Sequence, residues 1–221
     1  MKTNIYIDGY NLYYGLLKGR PQYKWLDPVR LVAKLLDAGH QINRVRYFTS
    51  KIKTYPHDQA AVERQNIYLQ ALTTLRQVTI TYGLYNKRKG YLPALDARCR
   101  DCEESGENRL VHIMKFEEKR TDVNLATAML KDAYGGDAES FVLISGDSDF
   151  IAPLDLIRHE LGRQVVVFNP QLVRSDLANH ASYYKDIPRD LPASCQLPDE
   201  IPIGDRGNVL HRPSAWRGQQ A

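Results

Sequence analysis

The chain has 221 residues, enough for one α/β domain with a substantial core and too few for two domains of ordinary size. Hydrophobic residues make up 43% and charged residues 25%, and no stretch approaches the ~18 apolar residues that a membrane span needs. These values exclude a membrane protein and predict a globular, soluble one. The formal net charge of +4 is compatible with a polyanionic partner but does not require one.

The amino terminus and the cysteines both indicate a cytoplasmic protein. The opening segment MKTNIYIDGYN lacks the apolar region and the cleavage site of a secretory signal. Three cysteines cannot form a paired disulfide framework. Cys99 and Cys102 have the spacing of zinc ligands, but a structural zinc needs four ligands, and only His112 and Cys195 are left to complete the set. We therefore expect free thiols and no zinc.

The first half of the chain alternates predicted strands with predicted helices. Asp27 followed by Pro28 is a typical helix start, with an N-cap and a proline at the first helical position. In chain order we expect strand 4–8, a helix from 28 to Gly39, strand 42–49, helix 58–75 and strand 78–85.

The second half continues this alternation after a polar stretch. Residues 91–109, which contain Cys99 and Cys102, are predicted to be a loop or an insertion. Beyond them we expect strand 110–116, helix 121–134, strand 141–145, helix 150–161 and strand 164–168. Residues 1–186 form the predicted domain, and the Pro/Gly-rich residues 187–221 form a predicted tail.

The apolar runs in the predicted strands indicate the fold class. IYI, FVLI and VVVF are continuous, as is typical of strands that are buried on both faces. Alternation of such strands with helices predicts a mostly parallel sheet covered on both sides. We therefore predict an α/β fold with three α/β/α layers.

Four aspartates in three separated segments are the candidate catalytic residues: Asp8, Asp122, Asp147 and Asp149. Three of them follow predicted strands, and open parallel sheets bind ligands outside the carboxyl ends of their strands. Asp122 lies in the first turn of a predicted helix. Helix capping explains Asp122, Asp147 or Asp149 equally well when each is taken singly. It does not explain Asp8 at the end of an apolar strand, or two carboxylates in the single turn SGDSDF.

Carboxylates gathered in one place repel each other and raise each other's pKa values unless a cation neutralises them. Oxygen ligands without His or Cys favour Mg²⁺ or Mn²⁺ over zinc. The sequence therefore predicts a divalent-metal site formed by the four aspartates.

The segments around these aspartates resemble the NYN family, and within it the LabA-like branch, of the PIN-like nucleases. The matching motifs are IDGYNLYYG, KFEEKRTDVNLATAML and VLISGDSDFIAPL, in this order. YLQALTTLRQVTITYGLY resembles the branch between the first two motifs, and LPASCQLPDEI with RPSAW resembles the end of some bacterial members. The resemblance covers most of the chain.

The resemblance implies a Rossmann-like PIN fold, a Mg²⁺ or Mn²⁺ site and hydrolysis of RNA, which we expect to be endonucleolytic. Carried over by motif, the four aspartates would form the catalytic and metal-binding site. Asn11 would support Asp8, with Asn124 and Ser145 close by. Some family members have a further Asp about one helical turn beyond Asp122, where this chain has alanines and a threonine. This difference leaves open the alternative of a weakly active or inactive RNA-binding regulatory protein.

Basic residues near the motifs are candidates for binding the substrate. Lys119 and Arg120 precede Asp122, and Lys87 and Arg88 lie in a segment rich in tyrosine. Cations beside aromatic rings suit phosphates and stacked bases, so the expected partner is single-stranded or structured RNA. Assembly with further copies of the chain is compatible with the sequence.

Two other enzyme classes fit the sequence less well. A phosphatase of the haloacid dehalogenase type needs a second Asp two residues after the first, where this chain has Tyr10. A dinucleotide-binding enzyme needs a GxGxxG motif after a strand, and none follows a predicted strand.

Overall fold

The computed structural model describes residues 1–53, 58–93, 110–204 and 207–217. Its strands, in chain order, are β1 (Lys2–Asp8), β2 (Gln41–Thr49), β3 (Val78–Tyr82), β4 (Leu84–Pro93), β5 (Leu110–Lys119), β6 (Ser140–Ile144), β7 (Gln164–Asn169), β8 (Tyr183–Asp186), β9 (Glu200–Ile203) and β10 (Asn208–His211). Six of them form a parallel sheet in the order β3-β2-β1-β6-β7-β8. The direction of winding reverses between β1 and β6, and doubly wound sheets bind ligands at such a switch point.

Helices cover both faces of this sheet. They are α1 (Gly9–Leu12), α2 (Pro28–Leu35), α3 (Ala61–Thr73), α4 (Thr121–Tyr134) and α5 (Ile151–Asp155). As expected from the sequence, Asp27 caps α2, because its Oδ1 accepts from the backbone N–H groups of Val29 and Arg30 at 2.9 and 3.0 Å. None of the helices in the described part of the chain is long and apolar enough to span a bilayer.

Side chains from the central strands point alternately into two apolar layers. Ile5 and Ile7 of β1 join the layer that also contains side chains of α1, α2 and α3, while Tyr6 joins the layer of α4 and α5. Every residue of β6 is buried, as the continuous run FVLI indicated. The three-layer α/β/α prediction is therefore confirmed.

The predicted single strand 78–85 is wrong, because the chain changes partners at Gly83. β3 stays in the parallel sheet, whereas β4 leaves it and pairs antiparallel with β5. A Cβ atom at Gly83 would lie 2.8 Å from the carbonyl oxygen of Lys119, so only glycine allows this close approach. We call the β4–β5 pair the ribbon.

The ribbon also corrects the predicted loop 91–109. Residues 91–93 belong to β4, and β5 runs three residues beyond the predicted end at 116. The rest of the predicted loop, including Cys99 and Cys102, lies outside the described residues. β8, at the edge of the parallel sheet, was not among the predicted strands.

The segment after β8 packs on the apolar layer of α2 and α3. Trp216, which is 8% exposed, has its ring centroid 6.2 Å from that of Trp25 and 6.1 Å from that of Tyr68. Cys195 is also buried in this layer. β9 and β10 form an antiparallel pair within the segment.

Candidate acidic site at the switch point

Asp8 lies at the carboxyl end of β1 and is only 4% exposed. One carboxylate oxygen accepts from the backbone N–H of Asn11 at 2.9 Å and so caps α1, which makes the expectation that capping does not apply to Asp8 wrong. The other oxygen accepts from the hydroxyl of Ser145 at 3.0 Å. Because each carboxylate oxygen has two lone-pair directions, both still have capacity for a ligand.

The loop after β6 brings Asp147 to the same place. Ser145, which donates to Asp8, accepts from the backbone N–H of Asp147 at 3.1 Å. Asp147 in turn accepts from the backbone N–H of Asp149 at 3.0 Å and so caps a short 3₁₀ turn. Asp147 is half-buried and Asp149 is exposed. The capping role considered from the sequence is therefore present, and it leaves the other oxygen of Asp147 available.

Asn11 connects the segment after β1 to the loop after β6 through hydrogen bonds of its side chain. Its side-chain oxygen accepts from the backbone N–H of Gly146 at 2.9 Å and from the side-chain amide of Gln171 at 3.0 Å. Gln171 was not a candidate, and nothing in its sequence surroundings distinguishes it, because the contact joins positions 160 residues apart.

Asp122, from the third segment with a predicted aspartate, lies in the first turn of α4. Partial burial raises its pKa, and the charges of Asp147 and Asp149 raise it further. Burial raises the pKa of Asp8 to about 6; Asp122 and Asp147 add to this rise, and the hydrogen bonds from Asn11 and Ser145 oppose it. The predicted aspartates therefore act on each other electrostatically.

Glu118 of β5 is a fifth carboxyl group that the sequence analysis missed. Burial raises its pKa to about 7, a hydrogen bond from Thr121 opposes the rise, and the charges of Asp8 and Asp122 add to it. It lies in the motif KFEEKRTD, and strand alternation puts it on the same side of β5 as the partly buried Phe116. The alternation of side chains along β5 was therefore the sequence signal that could have identified Glu118.

The remaining predicted residues form no hydrogen bond or ion pair with the acidic side chains of this site in the described part of the chain. Asn124 is two residues beyond Asp122, a spacing that puts two side chains on different sides of a helix. Lys119 pairs with Glu117 at 3.5 Å. Arg120 has a left-handed backbone, with φ of 75°, at the tight junction between β5 and α4. Lys87 and Arg88 are exposed on the ribbon.

The oxygen donors suit a hard divalent cation, although the described residues do not enclose one. Within residues 1–53, 58–93, 110–204 and 207–217, no three His, Cys, Asp or Glu side chains converge closely enough to hold a metal ion. Mg²⁺ usually keeps several waters and binds through one or two carboxylates, so the free lone pairs of Asp8 and Asp147 fit it. Of the residues considered for zinc, Cys195 is buried in the core and His112 is exposed on β5.

A cavity of about 170 Å³ opens beside α1, next to the acidic site. Aromatic rings dominate its lining, and Lys24 and Arg64 bring positive charge to it. Lys24 donates to the hydroxyl of Tyr13 at 3.3 Å, and Arg64 pairs with Asp58. The rings come from α1, from the helical turn that follows it (Tyr13–Leu17), from β2, from α3, from the ribbon and from the C-terminal segment: Tyr10, Tyr13, Tyr14, Tyr47, Tyr68, Tyr85 and Trp216.

Comparison with known proteins agrees with the fold described above. The model of the NYN domain matches residues 2–188. The chain belongs to the NYN domain family. NYN domains are a PIN-like nuclease family, so the fold and the general class inferred from the three motifs are confirmed.

Two individual proteins are similar to this NYN chain. The 6-hydroxy-3-succinoylpyridine 3-monooxygenase HspA of Pseudomonas putida is 32% identical to it, and the alignment covers 99% of this chain and 76% of HspA. A crystal structure of a protein of unknown function from Vibrio parahaemolyticus has a TM-score of 0.50 at 17% identity and covers 86% of this chain and 94% of that one. The second similarity concerns the fold alone.

Proposed function

We propose that this NYN protein is a divalent-metal-dependent ribonuclease that cuts RNA endonucleolytically at the acidic site. The observation that carries the proposal is the direct link between the ends of β1 and β6, where Ser145 hydrogen-bonds both Asp8 and the backbone of Asp147. Two carboxylates held together at the switch point of a parallel sheet, with a third from α4, suit phosphodiester hydrolysis.

Asp8 and Asp147 would hold Mg²⁺ or Mn²⁺ directly, and Asp122 and Asp149 would hold it directly or through water. The ion would supply Lewis acidity toward the phosphate and a more acidic bound water. Without such an ion the cluster would repel the substrate's phosphates, since all its side chains carry the same charge sign.

The chain's own residues orient this site. Ser145 and the backbone of Asn11 fix both oxygens of Asp8, so that carboxylate cannot rotate freely. Asn11 also holds the loop that carries Asp147. Lys119, Arg120, Lys87 and Arg88 would bind phosphates of the RNA on either side of the cut. The alternative within the same fold is an RNA-binding regulatory protein with weak or no activity.

Cleavage of labelled single-stranded, structured and transfer RNAs, with DNA alongside, tests the proposal in Mg²⁺, Mn²⁺ or EDTA. The wild type is compared with Asp147→Asn and with Asp37→Asn as a matched control. Asp37 is highly exposed and precedes β2, so it lies at the opposite edge of the sheet. We expect metal-dependent internal cuts in the wild type and the control, and a loss of at least a hundredfold in Asp147→Asn, the scale of a lost electrostatic contact at the reacting group. RNA binding without cutting under every metal condition would favour the regulatory alternative.

A second candidate function follows from the cavity together with HspA, whose name describes a monooxygenase acting on a hydroxylated pyridine. An aromatic lining with Lys24 beside it suits a flat ring that carries a negative group, while Arg64 is neutralised by Asp58. In such a reaction one atom of O₂ enters the ring and the other leaves as water, and a reduced nicotinamide or flavin supplies the two electrons. Oxidation of reduced nicotinamide that depends on 6-hydroxy-3-succinoylpyridine, with a hydroxylated product in mass spectrometry, would support this function. RNA cleavage with no such oxidation would reject it.

A further inference from the structure

One face of the ribbon carries all of the aromatic rings of this strand pair. The antiparallel register pairs Tyr85 with Glu118, Lys87 with Phe116 and Tyr91 with His112. Directly paired residues share a face and side chains alternate along each strand. One face therefore carries four rings and two lysines together with Met114 and Glu118, and we call it the stacking face: Tyr85, Lys87, Lys89, Tyr91, His112, Met114, Phe116 and Glu118.

Rings on the stacking face pair across the two strands. Tyr85 and Phe116 stack with centroids 6.1 Å apart and planes at 28°, and Tyr91 and His112 stack at 4.8 Å and 21°. The ammonium group of Lys87 lies 5.9 Å from the centre of the Phe116 ring. Tyr91 is 65% exposed, so the far end of this face presents an open ring to solvent.

Both faces of the ribbon carry cations, but only one carries rings. On the opposite face Glu117 pairs with Lys115 at 2.5 Å and with Lys119 at 3.5 Å. Among the described residues, Lys87 and Lys89 on the stacking face form no ion pair with a carboxylate, and neither does Arg88 on the opposite face. The stacking face is therefore distinguished by lysines that stand next to aromatic rings.

The end of the stacking face that carries Tyr85 and Glu118 lies next to the acidic site. Tyr85 is buried at the edge of the cavity, and Glu118, its cross-strand partner, acts electrostatically on Asp8 and Asp122. From Tyr85 to Tyr91 the strand advances about 20 Å, at ~3.4 Å per residue. A chain lying along this face would have its end at the carboxylates.

We propose that the stacking face binds single-stranded RNA and guides it to the acidic site, an inference that rests on the proposed nuclease function. Exposed rings stack on unpaired bases, which a duplex does not offer, and the lysines between them meet the phosphates. The length of the face suits a few nucleotides on one side of the cut.

The test measures RNA binding in a protein that does not cut RNA. It compares variants of the stacking face with control variants elsewhere on the surface. Fluorescence anisotropy measures the affinity of a labelled single-stranded 12-mer RNA, and of its duplex, for protein carrying Asp147→Asn, in Mg²⁺ at several salt concentrations. Lys87→Gln/Lys89→Gln removes two charges from the stacking face. Lys115→Gln/Lys131→Gln, the control, removes one charge from the opposite face and one exposed charge from the end of α4. Tyr91→Ala removes the exposed ring, and Tyr134→Ala, at the end of α4 and 62% exposed, is its matched control.

We expect the stacking-face double variant to reduce the slope of log affinity against log salt by about 1.4, since each phosphate contact with a single strand contributes ~0.7. Tyr91→Ala should weaken binding of the single strand about tenfold, the scale of one stacked base. Both controls should bind like the parent, and the duplex should bind more weakly to all variants. Equal effects of the two double variants, or equal affinity for duplex and single strand, would overturn the proposal. Wild-type protein that binds RNA through this face but cuts none would instead refute the nuclease function.

Discussion

Replacing Asp8 by asparagine should make the metal-free protein more stable while abolishing its activity. Asp8 is 4% exposed, and burial together with nearby carboxylates raises its pKa from 3.8 to about 6. A shift of about 2 units at ~1.4 kcal/mol per unit means that the ionised carboxylate costs about 3 kcal/mol at neutral pH. Asparagine can keep both hydrogen bonds, accepting from the Asn11 backbone and donating to the Ser145 hydroxyl.

The sign of the pH dependence follows from the raised pKa. Between pH 3.8 and about 6 the folded state keeps a proton that the unfolded state has released, so wild-type stability falls as the pH rises through this window. Above this pH window the free-energy cost of burying the ionised Asp8 carboxylate is constant, and below the window that cost disappears. The stability gap between Asp8→Asn and the wild type should therefore be close to zero below pH 4 and largest at pH 7 to 8.

Thermal unfolding in EDTA at pH 4 and pH 8 measures this gap. For a chain of this size 1 kcal/mol shifts the Tm by ~2–4 °C, so the variant should melt up to about 10 °C higher at pH 8. Mg²⁺ or Mn²⁺ should narrow the gap by stabilising the wild type, by ~2.7 kcal/mol at a hundred times its Kd. Asp132→Asn is the control, because Asp132 accepts from Arg46 at 2.8 Å and from the Tyr6 hydroxyl at 2.7 Å, and its loss should lower the Tm. An Asp8 variant that is no more stable at pH 8, or a gap of the same size at pH 4, would refute the reasoning.

Three further substitutions test how other elements support the site. Trp216→Ala should cost ~3–5 kcal/mol because the ring is buried against the core, which calorimetry measures. Gly83→Ala should reduce RNA cleavage and stability, since the new methyl group would meet the chain where β5 leads into α4, whereas Gly90→Ala, with open space around it, should change neither. Arg120→Gly should preserve or raise the Tm by relieving a left-handed backbone, and a raised KM for RNA with an unchanged kcat would identify the guanidinium group as a phosphate contact.

Local patterns were enough to predict the parallel sheet and the positions of its aspartates. Continuous apolar runs indicate strands buried on both faces, and Asp8 and Asp147 follow such runs directly. In a parallel sheet all carboxyl ends lie at one edge, so both residues could be assigned to that edge from the sequence. Their contact through Ser145 depends on the pairing of β1 with β6, which these local patterns do not predict. The placement of α2 followed in the same way from Asp27 and its proline.

The ribbon could not be predicted by the same means, because its formation depends on a contact between distant parts of the chain. Residues 78–85 favour extended structure throughout, and the break at Gly83 follows from its close approach to the carbonyl of Lys119. Strand propensity does not say which partner a strand will take. Without the ribbon, Glu118 has no visible relation to the acidic site, and Lys87 and Arg88 cannot be assigned to opposite faces.

The burial of Asp8 is itself an argument that this position serves chemistry. A side chain that only capped α1 could be serine or asparagine, which give similar capping without the cost of burying a charge. The neighbouring carboxylates of Asp122 and Asp147 increase that cost, and their removal would stabilise the metal-free fold. Such an arrangement is favourable only when the negative charge has a partner from outside the chain. A divalent cation accompanied by a phosphate of RNA meets this requirement, and an RNA bound through its phosphates alone does not.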